Sequence, residues 1–320
     1  MNHQSRGIGY RSLLVHSMPG SPPPSPPSPP SPPSPRIAVR KIVREVNRPV
    51  QTWIKLILHE RRICNREREE TLLREAIERY PKTDDLWLMY GSLMEEKDLI
   101  KTKQIYLCGL DYLGHAGPEL WLAYAKIEEK LFDFNRVRSI LEFTQGVFAV
   151  YQSVWLESIR FEVRCRSSQY VLDTLFTNAF KSCPRAGILL TEQIELALTI
   201  KERNGLTVAA LLKTNRRCPI VMLAAARTAW MDIPLEINKV IKRLKRALVL
   251  DPMFGDAWAA LYCFNQQQRQ EIMKECIETN PSRGEKWITA CNTRGNEYLT
   301  TDEILKRVAM ISNPNDYKIF

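Results

Sequence analysis

Four tryptophans recur at a fixed interval of 34 residues, at Trp53, Trp87, Trp121 and Trp155. This interval is the length of one helix–turn–helix unit in a helical solenoid. A solenoid presents long surfaces rather than one convergent pocket, so the period favours a binding protein over an enzyme.

Each of these tryptophans opens the same helical pattern. The positions three residues later hold Leu56, Tyr90, Tyr124 and Ser158, and glutamates follow seven or eight residues later at Glu60, Glu95, Glu128 and Glu162. These offsets place the side chains on one face of a helix. Because the glutamates recur once per unit, we expect each to make a structural hydrogen bond inside its own unit rather than to act in acid–base catalysis.

A second amphipathic run follows each tryptophan helix, at 69–80, 102–110, 137–143 and 170–182. Proline cannot continue a helix, and it closes several units, at Pro81, Pro184, Pro219, Pro252 and Pro281. The period continues more weakly through Leu190, Met222 or Leu223, Trp258 and Trp287. The sequence therefore predicts an all-α, right-handed superhelical solenoid of about eight antiparallel helix pairs between residues 36 and 320, without a β-sheet.

The repeated aromatic and apolar residues are interpreted as helix-packing residues rather than as a ligand cage, because stacked units bury a continuous core. The predicted packing residues are Trp53, Trp87, Tyr90, Trp121, Tyr124, Trp155, Leu190, Trp258 and Trp287.

Residues 1–35 differ in kind from the repeats that follow. Serine and proline make up almost all of residues 21–35, and this composition offers nothing to bury. We expect a disordered N-terminal segment over 1–35 and a helical repeat domain over 36–320. A linker role is favoured for this segment over a ligand for SH3 or WW domains or a site for proline-directed kinases.

Composition excludes several classes of function. The chain has no glycine-rich phosphate loop, no Gly-x-Ser-x-Gly turn and no His-Glu-x-x-His pair. Its eight cysteines form no Cys-x-x-Cys pair, and its four histidines have no metal-ligand spacing, so we expect reduced core thiols. No catalytic, cofactor, metal or small-molecule site is predicted. The apolar run at 13–15 is too short for a signal peptide, and no run approaches a membrane span. A soluble intracellular protein is expected.

The net charge of +10 is unevenly placed. Residues 201–250 hold eleven Lys and Arg against three acids, and five of these cations lie on one predicted helix: Lys239, Lys242, Arg243, Lys245 and Arg246. We expect them to reach solvent together, as a face for an acidic protein segment or structured RNA, with an acidic protein favoured. The alternative is a solvated helix face. A second basic stretch, 36–48, is expected to form at most a short helix.

The Trp-x-x-Tyr-x-x-x-Glu helix resembles the half-a-TPR (HAT) repeat of RNA-processing scaffolds. The segments that begin at Leu86, Val154, Cys183, Gly255 and Pro281 resemble, in order and spacing, the C-terminal repeats of the pre-mRNA-processing factor 6 family, the HAT-repeat component of the spliceosomal tri-snRNP. The resemblance covers roughly residues 45–315. The pattern departs from the family at Asn265 and Arg294, where glutamate is expected, and the family's upstream repeats are not in this sequence.

The resemblance implies a non-catalytic nuclear scaffold of the splicing machinery. Its implied partners are other snRNP proteins, with no membrane and no small-molecule substrate. Two alternatives stay open. One is another HAT-repeat scaffold, of 3′-end cleavage or ribosomal RNA maturation, and the other is a TPR-type adaptor for chaperones.

Overall fold

The computed structural model describes residues 50–114, 117–232, 235–293, 295–296 and 298–312. The predicted Ser/Pro segment and the basic stretch 36–48 therefore lie outside the described residues. Within the described ranges the secondary structure is helical, and the single β-bridge, between Phe254 and Arg283, belongs to no strand.

The described helices follow one another as eight pairs. The first four pairs are α1 Val50–Arg62 with α2 Arg66–Arg79, α3 Asp84–Met94 with α4 Leu99–Leu113, α5 Pro118–Lys130 with α6 Phe134–Val147, and α7 Gln152–Arg164 with α8 Gln169–Ser182. The last four are α9 Gly187–Glu195 with α10 Ile200–Lys213, α11 Pro219–Met231 with α12 Ile237–Leu250, α13 Gly255–Phe264 with α14 Arg269–Thr279, and α15 Glu285–Asn292 with α16 Thr301–Ile311. A short 3₁₀ turn, Gln266–Gln268, joins α13 to α14.

The predicted all-α array of about eight helix pairs is confirmed in the described ranges, and its handedness stays a prediction. The prolines singled out in the sequence lie where one pair gives way to the next. Pro219 begins α11, whereas Pro81 and Pro252 come just after the second helices of their pairs. This placement follows from the lack of a backbone N–H, which is tolerated in a first turn but not in a helix interior.

Side-chain caps fix where several helices begin. The Asp98 carboxylate accepts hydrogen bonds from the backbone N–H groups of Ile100 and Lys101 at the start of α4. Thr300 and Glu303 form a capping box at the start of α16. These contacts satisfy backbone donors that have no partner within the helix.

Three connections within pairs share a backbone conformation as well as a sequence position. Cys64, Phe132 and Arg166 have φ of 56°, 63° and 54°, and each lies eleven residues after the tryptophan of its pair. A left-handed residue is a common way to end a helix, although glycine takes this conformation at lower cost. The left-handed turn therefore recurs with the repeat, although cysteine, phenylalanine and arginine at this position do not predict it.

The chain divides into two compact units between Val137 and Arg138, a point inside α6. The first unit contains α1 to α5, with a core that includes Leu72, Leu86 and Leu120. The second unit contains α7 to α16, where one hydrophobic cluster joins α7, α8 and α9, and a larger one extends from α11 to α16. In each unit the core lies between successive helix pairs.

A search of the described helices for a bilayer-spanning segment finds none that is both long enough and apolar enough.

Candidate interaction surfaces

The nine predicted packing residues all lie in the protein interior. Each of their side chains is 9% exposed or less, and the set comprises Trp53, Trp87, Tyr90, Trp121, Tyr124, Trp155, Leu190, Trp258 and Trp287. Met222 and Leu223, the other weak members of the period, are also buried. These positions contact neighbouring helices and leave little surface for a ligand.

A recurring hydrogen bond explains why tryptophan occupies the position. The indole Nε1–H donates to the backbone carbonyl six residues earlier: Pro81 for Trp87 at 2.8 Å, Ala149 for Trp155 at 2.7 Å, and Pro252 for Trp258 at 2.8 Å. A buried indole needs an acceptor, and here the acceptor lies in the turn that precedes its helix. In these three cases the contact joins the tryptophan helix to the turn that follows the previous pair.

The glutamates of the pattern also join neighbouring helix pairs. Glu128 on α5 pairs with Lys103 Nζ on α4 at 2.8 Å, and Glu162 on α7 accepts two hydrogen bonds from Arg138 on α6, at 2.9 and 3.2 Å. The charged partner of each thus lies in the preceding pair. Glu162 also accepts a hydrogen bond from Ser167 within its own pair, as the sequence predicts, so the ion pair is additional to that bond. A long basic side chain on the previous second helix reaches the carboxylate across the helix interface.

Other carboxylates accept hydrogen bonds from backbone N–H groups at the start of the next helix pair. Asp84 on α3 accepts from the Gly117 N–H at 2.8 Å. Asp256 on α13 accepts from the Trp287 and Lys286 N–H groups at 2.8 and 3.2 Å. Burial nevertheless raises the pKa of Asp256, because its backbone hydrogen bonds only partly offset the loss of solvation.

An ion pair in the second unit links helices far apart in sequence. Arg160 on α7 contacts Glu192 on α9 with Nη2–Oε2 at 2.9 Å, and it also pairs with Glu285 on α15 through both terminal nitrogens. The hydrogen bonds that Arg160 donates to Glu285 are the main cause that raises the pKa of Arg160. Sequence reasoning missed this contact because no local pattern relates positions 160 and 285.

The predicted basic face lies on α12, where the structure brings only part of it to the surface. Lys242, Lys245 and Arg246 are exposed, and Lys239 is half-buried beside Glu236, with Nζ–Oε1 at 3.3 Å. Val240, Leu244 and Leu248 on the opposite side are buried. The amphipathic division that the sequence predicts is therefore present along this helix.

Arg243 departs from the expectation that all five cations reach solvent. Its guanidinium donates to the backbone carbonyl of Ala225 on α11, at 2.6 Å, and the side chain is half-buried. Burial lowers the pKa of Arg243. Its position at the edge of the apolar side brings it against the neighbouring helix, so the exposed basic face consists of Lys242, Lys245 and Arg246.

The expectation of core thiols holds for only some of the cysteines. Cys183 and Cys276 are buried, and burial raises the pKa of Cys276 to about 12. Cys64, Cys108 and Cys291 are exposed, which corrects the expectation for these three. Among the residues that the structure describes, no three His, Cys, Asp or Glu side chains gather in a way that could hold a metal ion.

Comparison with known proteins finds sequence relatives that include pre-mRNA splicing factors. The chain is 28% identical over 239 residues to pre-mRNA-splicing factor prp1 of Schizosaccharomyces pombe, which covers 73% of this chain and 26% of the relative. It is 25% identical to pre-mRNA-splicing factor 6 of Saccharomyces cerevisiae, over 76% of this chain and 28% of the relative. Pre-mRNA-processing factor 6 of Homo sapiens is 32% identical over 113 residues, 34% of this chain and 12% of the relative. No family model matches the chain.

A solved structure gives independent support for the fold. Yeast Tom70 aligns with a TM-score of 0.55 at 14% identity, over 88% of this chain and 58% of that one. At this identity the likeness shows a shared TPR-like helical fold alone. The sequence relatives are more specific, although the chain spans only about a quarter of the two yeast proteins. Over about three quarters of its length, the chain is thus similar in sequence to yeast splicing factors, and it shares with solved TPR-like proteins a fold of paired helices.

Proposed function

We propose that the chain is a non-catalytic nuclear scaffold in pre-mRNA splicing, which supports assembly of the tri-snRNP through protein–protein contacts. The observation that carries this proposal is sequence similarity to two yeast splicing factors over about three quarters of the chain. We place the matched part in the C-terminal repeats of those relatives, within a repeat domain over 36–320 that follows a Ser/Pro-rich segment over 1–35.

The described architecture supports a binding role. Its repeated tryptophans are used for packing, and its buried carboxylates are used to join successive helix pairs. These carboxylates therefore serve structural hydrogen bonds, whereas the outer sides of the helices remain accessible to a partner. Stacked helix pairs provide extended surfaces of this kind.

The exposed cations of α12 provide one candidate contact within this role. Lys242, Lys245 and Arg246 lie together on the solvent side, and Val249 beside them is 70% exposed. RNA-binding surfaces commonly add aromatic side chains on which bases stack, and this helix contains no aromatic residue. We therefore assign the α12 face to an acidic protein segment in preference to RNA.

Association with splicing particles tests the role. The tagged full chain, expressed in its host, is recovered from nuclear extract, and the snRNP proteins and small nuclear RNAs bound to it are quantified by immunoblotting and primer extension. We expect wild type to recover both, and ribonuclease treatment to leave the direct protein contact intact. Recovery no greater than with an unrelated tagged protein would overturn the proposal.

A charge-reversal variant tests the α12 face separately. Lys242→Glu, Lys245→Glu and Arg246→Glu together should reduce recovery of one protein partner at least tenfold while the fold is retained. A matched control reverses three exposed lysines on other helices, Lys126, Lys181 and Lys274, with the same change in net charge. Equal loss in both variants would mean that overall charge, rather than the α12 face, governs association.

A further inference from the structure

The solvent side of α10 carries an apolar stripe. Val208 and Leu212 are 57% and 63% exposed, and Gly205 and Ala209 are also exposed. Positions 205, 208, 209 and 212 are separated by three and four residues, so they form one continuous stripe on a helix. We name these four residues the α10 face.

The second helices α8 and α14 do not share this character. The solvent side of α8 presents Asp173, Thr177 and Lys181, and that of α14 presents acidic residues at 271, 275 and 278. The α10 face is also separate from the core contacts of its own helix, because Thr207 and Ala210 are buried on the opposite side. The stripe is therefore an apolar surface additional to the one that builds the array.

Cations lie at both ends of the stripe. Lys201 lies at its N-terminal end, and Lys213, Arg216 and Arg217 lie beyond its C-terminal end, all of them exposed. The one acid on this stretch, Glu202, is held at the helix start, where its carboxylate accepts from the Leu198 N–H at 3.2 Å. A complementary surface has an apolar centre and acidic residues on both flanks.

The small residues of the stripe fit the close approach of another helix. No atom lies within 4 Å of the position that a Cβ on Gly205 would occupy. An interior glycine weakens a helix, and the described part of the fold gains no packing contact from its small size here. Gly205 and Ala209, four residues apart, leave a shallow groove beside the ridge that Val208 and Leu212 form.

We propose that the α10 face docks an acidic amphipathic helix of a protein partner. Such a helix lays apolar residues spaced by three and four positions along the groove beside Val208 and Leu212, and its acidic flanks face the cations at the two ends of α10. This inference depends on the α10 face alone and not on the splicing role.

Photo-crosslinking in the host identifies the occupant. Benzoylphenylalanine is placed at Leu212 in the full chain, and a second chain carries it at Tyr170 on α8, which is 80% exposed, as the control. We expect the Leu212 probe, and not the Tyr170 probe, to crosslink a protein segment with net negative charge and apolar residues at helical spacing. Crosslinking to RNA, to a basic or non-helical segment, or to nothing while the chain still recovers its partners would overturn the proposal.

A synthetic peptide of the crosslinked segment then tests the geometry by fluorescence anisotropy. Gly205→Leu should weaken peptide binding at least tenfold by filling the groove, and Val208→Ser with Leu212→Ser should do the same by removing the apolar contacts. Tyr170→Ser is the control and should bind like wild type. Gly205→Ala should raise the melting temperature, which shows that substitution at this site preserves the fold. Unchanged binding in Gly205→Leu would refute helix docking at the α10 face, whatever the outcome of the snRNP association experiment.

Discussion

Replacement of Trp155 by alanine should be strongly destabilising. The side chain is 5% exposed and lies in the cluster formed by α7, α8 and the start of α9, against residues that include Ile159, Leu172 and Phe176. Truncation of a buried tryptophan to alanine costs about 3–5 kcal/mol, since lost transfer energy adds to the energy of the cavity. We expect a cost in this range because the side chain is almost wholly buried among three helices.

A second variant separates packing from the indole hydrogen bond. Trp155→Phe keeps most of the apolar contact but removes the donor to the Ala149 carbonyl. That carbonyl also receives the Cys183 thiol, with S–O at 3.6 Å, so it retains a weak partner. The loss of one hydrogen bond and part of the contact area should cost about 1–2 kcal/mol.

Urea unfolding followed by circular dichroism measures both costs, and hydrogen exchange locates them. Stability in repeat arrays is close to a sum of repeat and nearest-neighbour terms, so protection should fall most in α7, α8 and α9. Tyr170→Ala, at an exposed position on α8, is the control and should change stability by less than about 0.5 kcal/mol. A Trp155→Ala variant as stable as this control would refute the packing argument.

Three further predictions follow from other contacts. Phe132→Gly should raise the free energy of unfolding by about 0.5–1 kcal/mol in urea titrations, because Phe132 is 79% exposed at φ 63° and glycine relieves the left-handed strain at some cost in chain entropy. A lower stability would show that the edge-to-face contact between the rings of Phe132 and Phe134 outweighs this strain. A double-mutant cycle with Arg160→Ala and Glu285→Ala should give a coupling free energy of unfolding of about 0.5–1 kcal/mol in low salt. Because the pair is partly exposed, this coupling should fall at about 1 M salt. A coupling of zero at low salt would contradict the ion pair. Burial raises the pKa of Glu162, but hydrogen bonds from Arg138 and Ser167 outweigh it and hold the pKa below the ordinary 4.5. The stabilisation from Glu162 is therefore present above pH 4.5 and lost as the pH falls through the lowered pKa. Glu162→Gln should reduce the loss of stability on acidification, measured as the free energy of unfolding against pH. An unchanged loss of stability at low pH would contradict this role for the carboxylate.

The sequence alone predicted the class of fold and the residues that build its core. A period of 34 residues, the offsets of three and seven, and prolines between runs are local signals, and each reports which side of a helix is apolar and where the helix stops. They placed Trp53, Trp87, Trp121 and Trp155 correctly in the interior, and they anticipated about eight helix pairs. These properties depend on the chain's own periodicity, so they can be read without knowing what packs against what.

The tertiary structure decided which helix faces which. The same local pattern that marked Glu128 and Glu162 could not show that their charged partners lie in the preceding pair, and it counted Arg243 as a surface cation although the residue bonds to a neighbouring helix. It also gave no sign that Arg160 meets Glu285, 125 residues away. Periodicity specifies the direction of a side chain from its own helix axis. The identity of the neighbour in that direction depends on the angle and distance between helices, which the packing of the whole unit sets.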